Sequence, residues 1–316
     1  MTRLLTRSDL EAVLEPEACA AALRDGFVHA TDTATGLRVR TDLPFPGTAT
    51  ALLPGLLPGI DAYTVKVNAK FPAARPALRG VVCLHSGRDG ALLALLDSAT
   101  LTAWRTGLSA ALGTHALAAP GGADGGAGTV GVIGAGAQAE LMVRGLAALR
   151  PRDALLVHDT DGARAAAFAA RHAGRVVASA REVAAAADLV LLATWAREPV
   201  LTLADIPPGR HVTSLGADEP GKQELSADLL AAALVVVDDR EAAAATGALA
   251  AAGLPAAAAD ATLGEVLRGE HPGRTGPSER TVYAPVGRPW QDLALAWLAH
   301  RRAEERGLGT RVDLLA

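Results

Sequence analysis

Apolar and polar positions follow different rhythms along the chain, and the changes divide it into three zones. Up to about Ala119 the rhythm is mixed. Ser8 followed by Glu11 has the spacing of a capping box and predicts a first helix, with a second over Pro16–Ala30. TVKVNAKF alternates apolar and polar residues, so successive side chains face opposite sides of a sheet. RGVVCLHS and ALLALLD flank the turn GRDG and predict a hairpin. LTAWRTGLSAALGTHALAA then reads as one long helix.

The glycine-dense stretch APGGADGGAGT has no periodicity and predicts a connection. From Thr129 the chain becomes a series of short β-rich runs: TVGVIGAG, ALLVHD, RVVAS, DLVLLAT, HVTSLG and ALVVVDD. Alanine-rich helical stretches separate most of them. That alternation predicts a doubly wound sheet covered on both faces. After about Pro285 a single helix, QDLALAWLAHRRAEERG, and a short tail remain. One helix cannot bury its own apolar side, so it is expected to pack back on the first zone. The expected fold class is α/β: a Rossmann-type doubly wound domain over 120–285, and an α+β domain built from both chain ends, 1–119 completed by 286–316.

Composition narrows the picture. At 316 residues the chain is long enough for two domains. It is 50% hydrophobic but only 3% aromatic, so the core must be mostly Leu, Val and Ala. A net charge of -4 argues against a nucleic-acid partner, which normally needs a basic face. No charge-free apolar run of roughly 18 residues occurs, so no membrane span is expected. MTRLLTRSDLEAVLEPE lacks the apolar segment of a signal peptide. Cys19 and Cys83, the only cysteines, sit in apolar surroundings and read as structural thiols. The histidines are scattered without metal-ligand spacing, and no metal is expected. The implied setting is a reduced, cytoplasmic one.

The strongest chemical signal is Gly134-Ala135-Gly136-Ala137-Gln138-Ala139, directly after the apolar run VGVI and directly before a helical stretch. Gly134 permits a tight turn and Gly136 a close backbone approach to a pyrophosphate, while Ala139 keeps helix and strand close. The helix N-terminus offers unpaired N–H groups to phosphates. Asp159 ends the next strand, where a carboxylate accepts hydrogen bonds from a ribose 2′-hydroxyl and repels a 2′-phosphate. No arginine follows it immediately, so NAD(H) is the expected cofactor.

Three charged residues stand out elsewhere. Lys66 interrupts an apolar strand, Arg105 lies among apolar or small helix residues, and Asp218 follows the run HVTSLG. Taken singly they could be an edge-strand lysine, a salt-bridge partner and a turn residue. Beside a nicotinamide they suggest two cations for a carboxylate and one acid for protons.

In this order, VKVNAKFP, LLALLDSATLTAWRTGLSAAL, TVGVIGAGAQA, SLGADEPGKQEL, GEVLRGEHPGR and TVYAPVG…QDLALA resemble the ornithine cyclodeaminase/mu-crystallin family, over about Arg40 to Gly309. The resemblance implies a nucleotide domain of six core strands and a dimerising substrate domain, hence a homodimer. It also implies roles. Arg105 resembles the arginine that binds the substrate carboxylate, and Lys66 a lysine that contacts it and tunes proton transfer at the α-nitrogen. Arg40 resembles a further carboxylate-binding arginine, with Arg38 on the same strand face. Asp218 resembles a general acid/base. Thr106, Gln138, Thr194 and Lys222 fall where the family contacts the dinucleotide, beside Gly134, Gly136, Ala137 and Asp159.

The chain also departs from the family. Ala51-Leu-Leu-Pro54 lacks the acid that cyclodeaminases carry before a Met-Pro pair. Pro285 stands where serine is usual, Pro289 where alanine is usual, and Ala248 where a glutamate is common. The reading that follows is an NAD(H)-dependent oxidoreductase moving a hydride at the α-carbon of a small amino or imino acid: a reductase of a ketimine such as pyrroline-2-carboxylate, or an amino-acid dehydrogenase. The alternatives are an ornithine cyclodeaminase with catalytic NAD+, and a mu-crystallin-like binding protein without turnover.

Overall fold

The computed structural model describes residues 1–30, 38–43, 47–71, 73–74, 76–119, 127–314 and 316; of the side chains in 38–42 and 48–53 nothing is said. The chain forms two compact units, Met1–Arg105 with Arg288–Ala316, and Thr106–Gly287.

The first unit opens with β1 (Thr2–Leu5), α1 (Arg7–Val13) and α2 (Pro16–His29), followed by the strands β2 (Arg38–Asp42), β3 (Thr48–Gly55), β4 (Ala62–Lys70), β5 (Leu78–Ser86) and β6 (Leu92–Asp97). The expected hairpin is present: β5 and β6 are antiparallel, with Cys83 opposite Leu95. The first helix begins earlier than the sequence suggested. Its cap is Thr6, whose hydroxyl accepts from the Asp9 N–H while the Asp9 carboxylate accepts from the Thr6 N–H at 2.9 Å. Thr6-x-x-Asp9 outcompetes Ser8-x-x-Glu11 because β1, which was not anticipated, ends at Leu5 and leaves Thr6 as the half-extended residue a cap requires.

The helix α3 (Ser98–Leu117) follows β6 directly, and the chain passes from the first unit to the second within it, between Arg105 and Thr106. The second unit then alternates β7 (Thr129–Ile133), α4 (Ala137–Leu149), β8 (Ala154–His158), α5 (Gly162–Arg171), β9 (Arg175–Val176), α6 (Ala180–Ala186), β10 (Leu189–Leu192), β11 (His211–Ser214), α7 (Ala227–Ala231) and β12 (Leu234–Val237). It ends with α8 (Arg240–Thr246), α9 (Ala248–Ala251), β13 (Ala261–Thr262), α10 (Leu263–Leu267) and β14 (Thr281–Tyr283). The order across its sheet is β13-β12-β14-β11-β10-β7-β8-β9, and all its pairs are parallel. This is the doubly wound sheet read from the sequence. Its six longer strands are flanked by two-residue edges, β13 and β9. β10 is buried at every position, which is why Leu189–Leu192 appears in sequence as an unbroken apolar run and not as alternation; β11 is equally buried although three of its four residues, His211, Thr213 and Ser214, are polar.

The chain returns to the first unit with α11 (Pro289–Glu305) and β15 (Thr310–Val312). As expected, α11 packs on the first zone, against α2 and the sheet strands β3, β4 and β5. Phe27 and Trp290 meet edge to face there, 4.8 Å between centroids. The tail is itself a strand: β15 pairs with β1, giving the sheet order β15-β1-β6-β5-β4-β3-β2. Among the described residues no helix is long and apolar enough to cross a membrane.

Candidate active site

In the first unit the strand pattern dictates where Lys66 points. Residues 62, 64, 66 and 68 of β4 share the buried face, so the lysine enters the side covered by α11. It is 2% exposed, and its Nζ lies 2.6 Å from Asp292 Oδ2. Thr102 Oγ1 on α3 is 3.4 Å from the same nitrogen. Arg105, one turn further along α3, places Nε 3.4 Å from the other Asp292 oxygen and donates from a terminal nitrogen to Gln291 Oε1 at 3.4 Å. Asp292 and Gln291 come from the first turn of α11, whose N-terminal dipole favours the carboxylate.

An ion pair this dry costs desolvation, and a plain apolar contact would serve folding as well. Two donors of the cluster also make no hydrogen bond: Gln291 Nε2, and Arg105 Nε, which only faces the equally unbonded Asp292 Oδ1 at 3.4 Å as an ion pair. Buried orphan donors beside two cations are what a carboxylate ligand would complete. Asp292 and Gln291 lie within the motif QDLALA, but the sequence does not mark them as candidate site residues. The only signal available was an acid and an amide in the first turn of an otherwise apolar helix.

Arg40 lies on β2, paired with Thr50 of β3, but its side chain falls outside the described residues, as do those of Arg38 and Ala51.

In the second unit the glycine loop is shaped by backbone necessity. Gly134 has φ +89°, where a side chain is strained, and a Cβ there would stand 2.6 Å from the Ala193 carbonyl oxygen. A Cβ on Gly136 would meet nothing within 4 Å. That open side lies at the N-cap of α4, where no side chain caps the helix. Ala137 and Gln138 form the first turn and Ala139 is buried. Free amides, positive dipole and open approach fit a pyrophosphate. Asp159 holds the loop from below: Oδ2 accepts from the Ala135 N–H at 2.8 Å, and Oδ1 from the Asp161 N–H at 2.8 Å. Arg164 also reaches Asp159, at 3.1 Å, so an arginine does stand beside this acid, five residues on.

Thr194 follows β10 and Asp218 follows β11, both at the carboxyl edge where such sheets receive ligands. Lys222 bridges Asp218 and Glu219, 2.9 Å from each, and its Nζ lies over the exposed ring of Trp195 at 4.3 Å from the centroid. Burial disfavours its charged form, but the two carboxylates outweigh that and hold the Lys222 ammonium above its ordinary range. Thr106 opens the second unit within α3, and its Oγ1 is buried without a hydrogen-bond partner. The structure thus joins Lys66 with Arg105, and Asp218 with Lys222. The turn at Pro285 is supported from β12: Asp238 accepts from the Val286 and Gly287 N–H groups at 2.9 and 2.6 Å.

The family model of the ornithine cyclodeaminase/mu-crystallin family matches residues 1–307. A delta(1)-pyrroline-2-carboxylate reductase of Bacillus cereus is 31% identical over 87% of the chain and 88% of its own length. Among solved structures, a Thermococcus litoralis delta(1)-pyrroline-2-carboxylate reductase in complex with NADH and L-proline superposes with TM-score 0.90 at 27% identity, covering 98% of this chain and all (100%) of that one. An archaeal alanine dehydrogenase dimer with bound NAD gives 0.91 at 25% identity, covering 99% of each chain.

Proposed function

The chain belongs to the ornithine cyclodeaminase/mu-crystallin family, and from that premise we propose that it reduces a cyclic ketimine carrying a carboxylate, with delta(1)-pyrroline-2-carboxylate as the parent substrate. It is an NAD(H)-dependent oxidoreductase acting on imino or amino acids. The observation that carries the narrower reading is the dry cluster of Lys66, Arg105, Gln291 and Asp292, with its orphan donors.

Gly134, Gly136, Ala137 and Gln138 would hold the pyrophosphate, Asp159 the ribose, and Thr106, Thr194 and Lys222 further parts of the dinucleotide. When bound, NADH supplies the hydride that reduces the C=N carbon and leaves as NAD+. Arg105 binds the substrate carboxylate through its guanidinium fork, which fixes the carbon for attack. Arg40 is a further carboxylate ligand. Lys66, held by Asp292, contacts the carboxylate and tunes proton uptake at the ring nitrogen. Asp218 carries the proton that this nitrogen must gain, so ketimine, NADH and one proton give the amino acid and NAD+.

Chain pairing belongs to the same reading. On the sheet face opposite Lys66, Val67 lies opposite Val81, Val65 opposite Cys83 and Cys83 opposite Leu95, and Val67 is 49% exposed. A second copy of the chain covers this apolar strip; the alanine dehydrogenase neighbour is itself a dimer.

The deciding experiment follows nicotinamide absorbance with purified protein, NADH and pyrroline-2-carboxylate, beside Lys66→Ala. Lys66-dependent loss of NADH is expected. Ammonia and proline from ornithine without net NADH formation would replace this reading with a cyclodeaminase.

A further inference from the structure

Glu224 closes the motif that carries Asp218 and Lys222, and it is completely buried. Its carboxylate accepts four hydrogen bonds. Oε1 receives the Thr194 N–H at 2.7 Å and the Thr194 hydroxyl at 2.8 Å; Oε2 receives the Ser214 hydroxyl and the Gly216 N–H, each at 2.7 Å. Its backbone is anchored independently, because the Glu224 carbonyl accepts from the Val200 and Leu201 N–H groups. One side chain therefore ties together the carboxyl ends of β10 and β11.

The arrangement is costly. Burial pushes Glu224 above the usual carboxylate range, and the donors from Ser214, Gly216 and Thr194 oppose that push. An apolar side chain could fill this volume without the desolvation penalty. The carboxylate does two things such a group could not. By binding the Gly216 N–H it closes the neck of the loop from 216 to 224, on which Asp218 and Lys222 sit. The approach is close enough that a Cβ on Gly216 would collide with it. It also accepts the hydrogen bond that the Thr194 hydroxyl donates, so that Thr194 Oγ1 is left to act as an acceptor, as it does for the Ala196 N–H at 3.2 Å.

We propose that Glu224 is a positioning residue for hydride transfer, a staple that sets the Asp218 loop and fixes Thr194 as an acceptor toward the dinucleotide. The inference rests on the roles given above to Asp218 and Thr194.

Glu224→Gln tests it. The shape is kept, but one acceptor oxygen becomes an NH2 that must face the backbone N–H of Thr194 or Gly216. Hydroxyls can turn away, whereas these amides cannot. NADH affinity, read by fluorescence titration, is expected to fall about tenfold, and kcat about 10- to 100-fold, from misplacement of the loop. KM for the carboxylate substrate should stay within about twofold, since Lys66 and Arg105 belong to the other unit. Ser214→Ala removes a single donor and should move NADH affinity and kcat the same way by about three- to tenfold; it carries the test if Glu224→Gln does not fold. Wild-type NADH affinity and kcat in a folded variant, with only the melting temperature lowered, would overturn the proposal. So would a defect confined to KM. The titration needs no substrate, so it decides the matter for Glu224 even if the ketimine assay fails.

Discussion

On the reading proposed above, the two units hold an anion in opposite ways. The second unit uses backbone: a left-handed glycine, an uncapped helix start and one carboxylate beneath the loop, all within the short span from Ile133 to Asp159. The first uses side chains, bringing Lys66, Arg105, Gln291 and Asp292 together from β4, α3 and α11. A backbone site is cheap to keep, because its donors exist in any sequence that makes the turn. A side-chain site of buried charges has to be maintained against desolvation, so it marks a function more sharply.

The sharpest break comes from Asp292. Asp292→Ala strands the Lys66 ammonium in the interior and should cost about 3–5 kcal/mol in denaturant unfolding. Lys66→Met combined with Asp292→Leu should recover only part of that stability, because Arg105 still lacks its carboxylate, while ketimine reduction stays lost. Recovery of both would reduce the cluster to a packing device. On the backbone side, Gly134→Ala should cost about 1–3 kcal/mol and abolish NADH binding, since it meets both the positive φ and the Ala193 carbonyl. Gly136→Ala should leave the melting temperature unchanged and weaken NADH alone, because its side is open. Equal damage to folding from both glycines would contradict the assignment.

Acid should strike the second unit in a way of its own. His211 is fully buried between the Thr281 and Thr213 hydroxyls, each at 2.8 Å. Burial, with Arg274 and Arg150 nearby, lowers it from 6.5 to about 3. The unfolded chain therefore binds a proton below pH 6.5 that the folded protein refuses. Its stabilising contribution is complete above pH 6.5 and shrinks by about 1.4 kcal/mol per pH unit down to about pH 3. A His211→Gln variant should show a flatter decline in urea titrations run across this range; an identical slope would remove His211 from the account. The mildest change is Thr102→Val, which loses a 3.4 Å contact to Lys66 and should shift stability by less than about 1 kcal/mol.

The same contrast explains what the sequence could disclose. The glycine loop, the strand–helix alternation and Asp159 were readable because each depends on residues close in the chain. Lys66 and Arg105 were visible as charges out of place in apolar segments. Asp292, 226 positions from Lys66, was not, since nothing local says which buried cation an acid will meet. Glu224 was hidden differently: it stood in a recognised motif, but its four donors come from strand ends whose adjacency only the sheet order reveals. β1 and β15 escaped notice because strands of four and three residues carry too little pattern to separate from a loop.

The discontinuity of the first unit has a temporal side. Residues 106 to 287 are contiguous and have all their strands once β14 has left the ribosome. The sheet that holds Lys66 still lacks α11 and β15 at that moment, and Asp292 has yet to emerge. During synthesis the nucleotide-binding half is therefore complete first, and the Lys66 ammonium keeps its water until the segment from Arg288 onward arrives. A chain truncated after Gly287 should retain a dinucleotide and have no grip on a carboxylate.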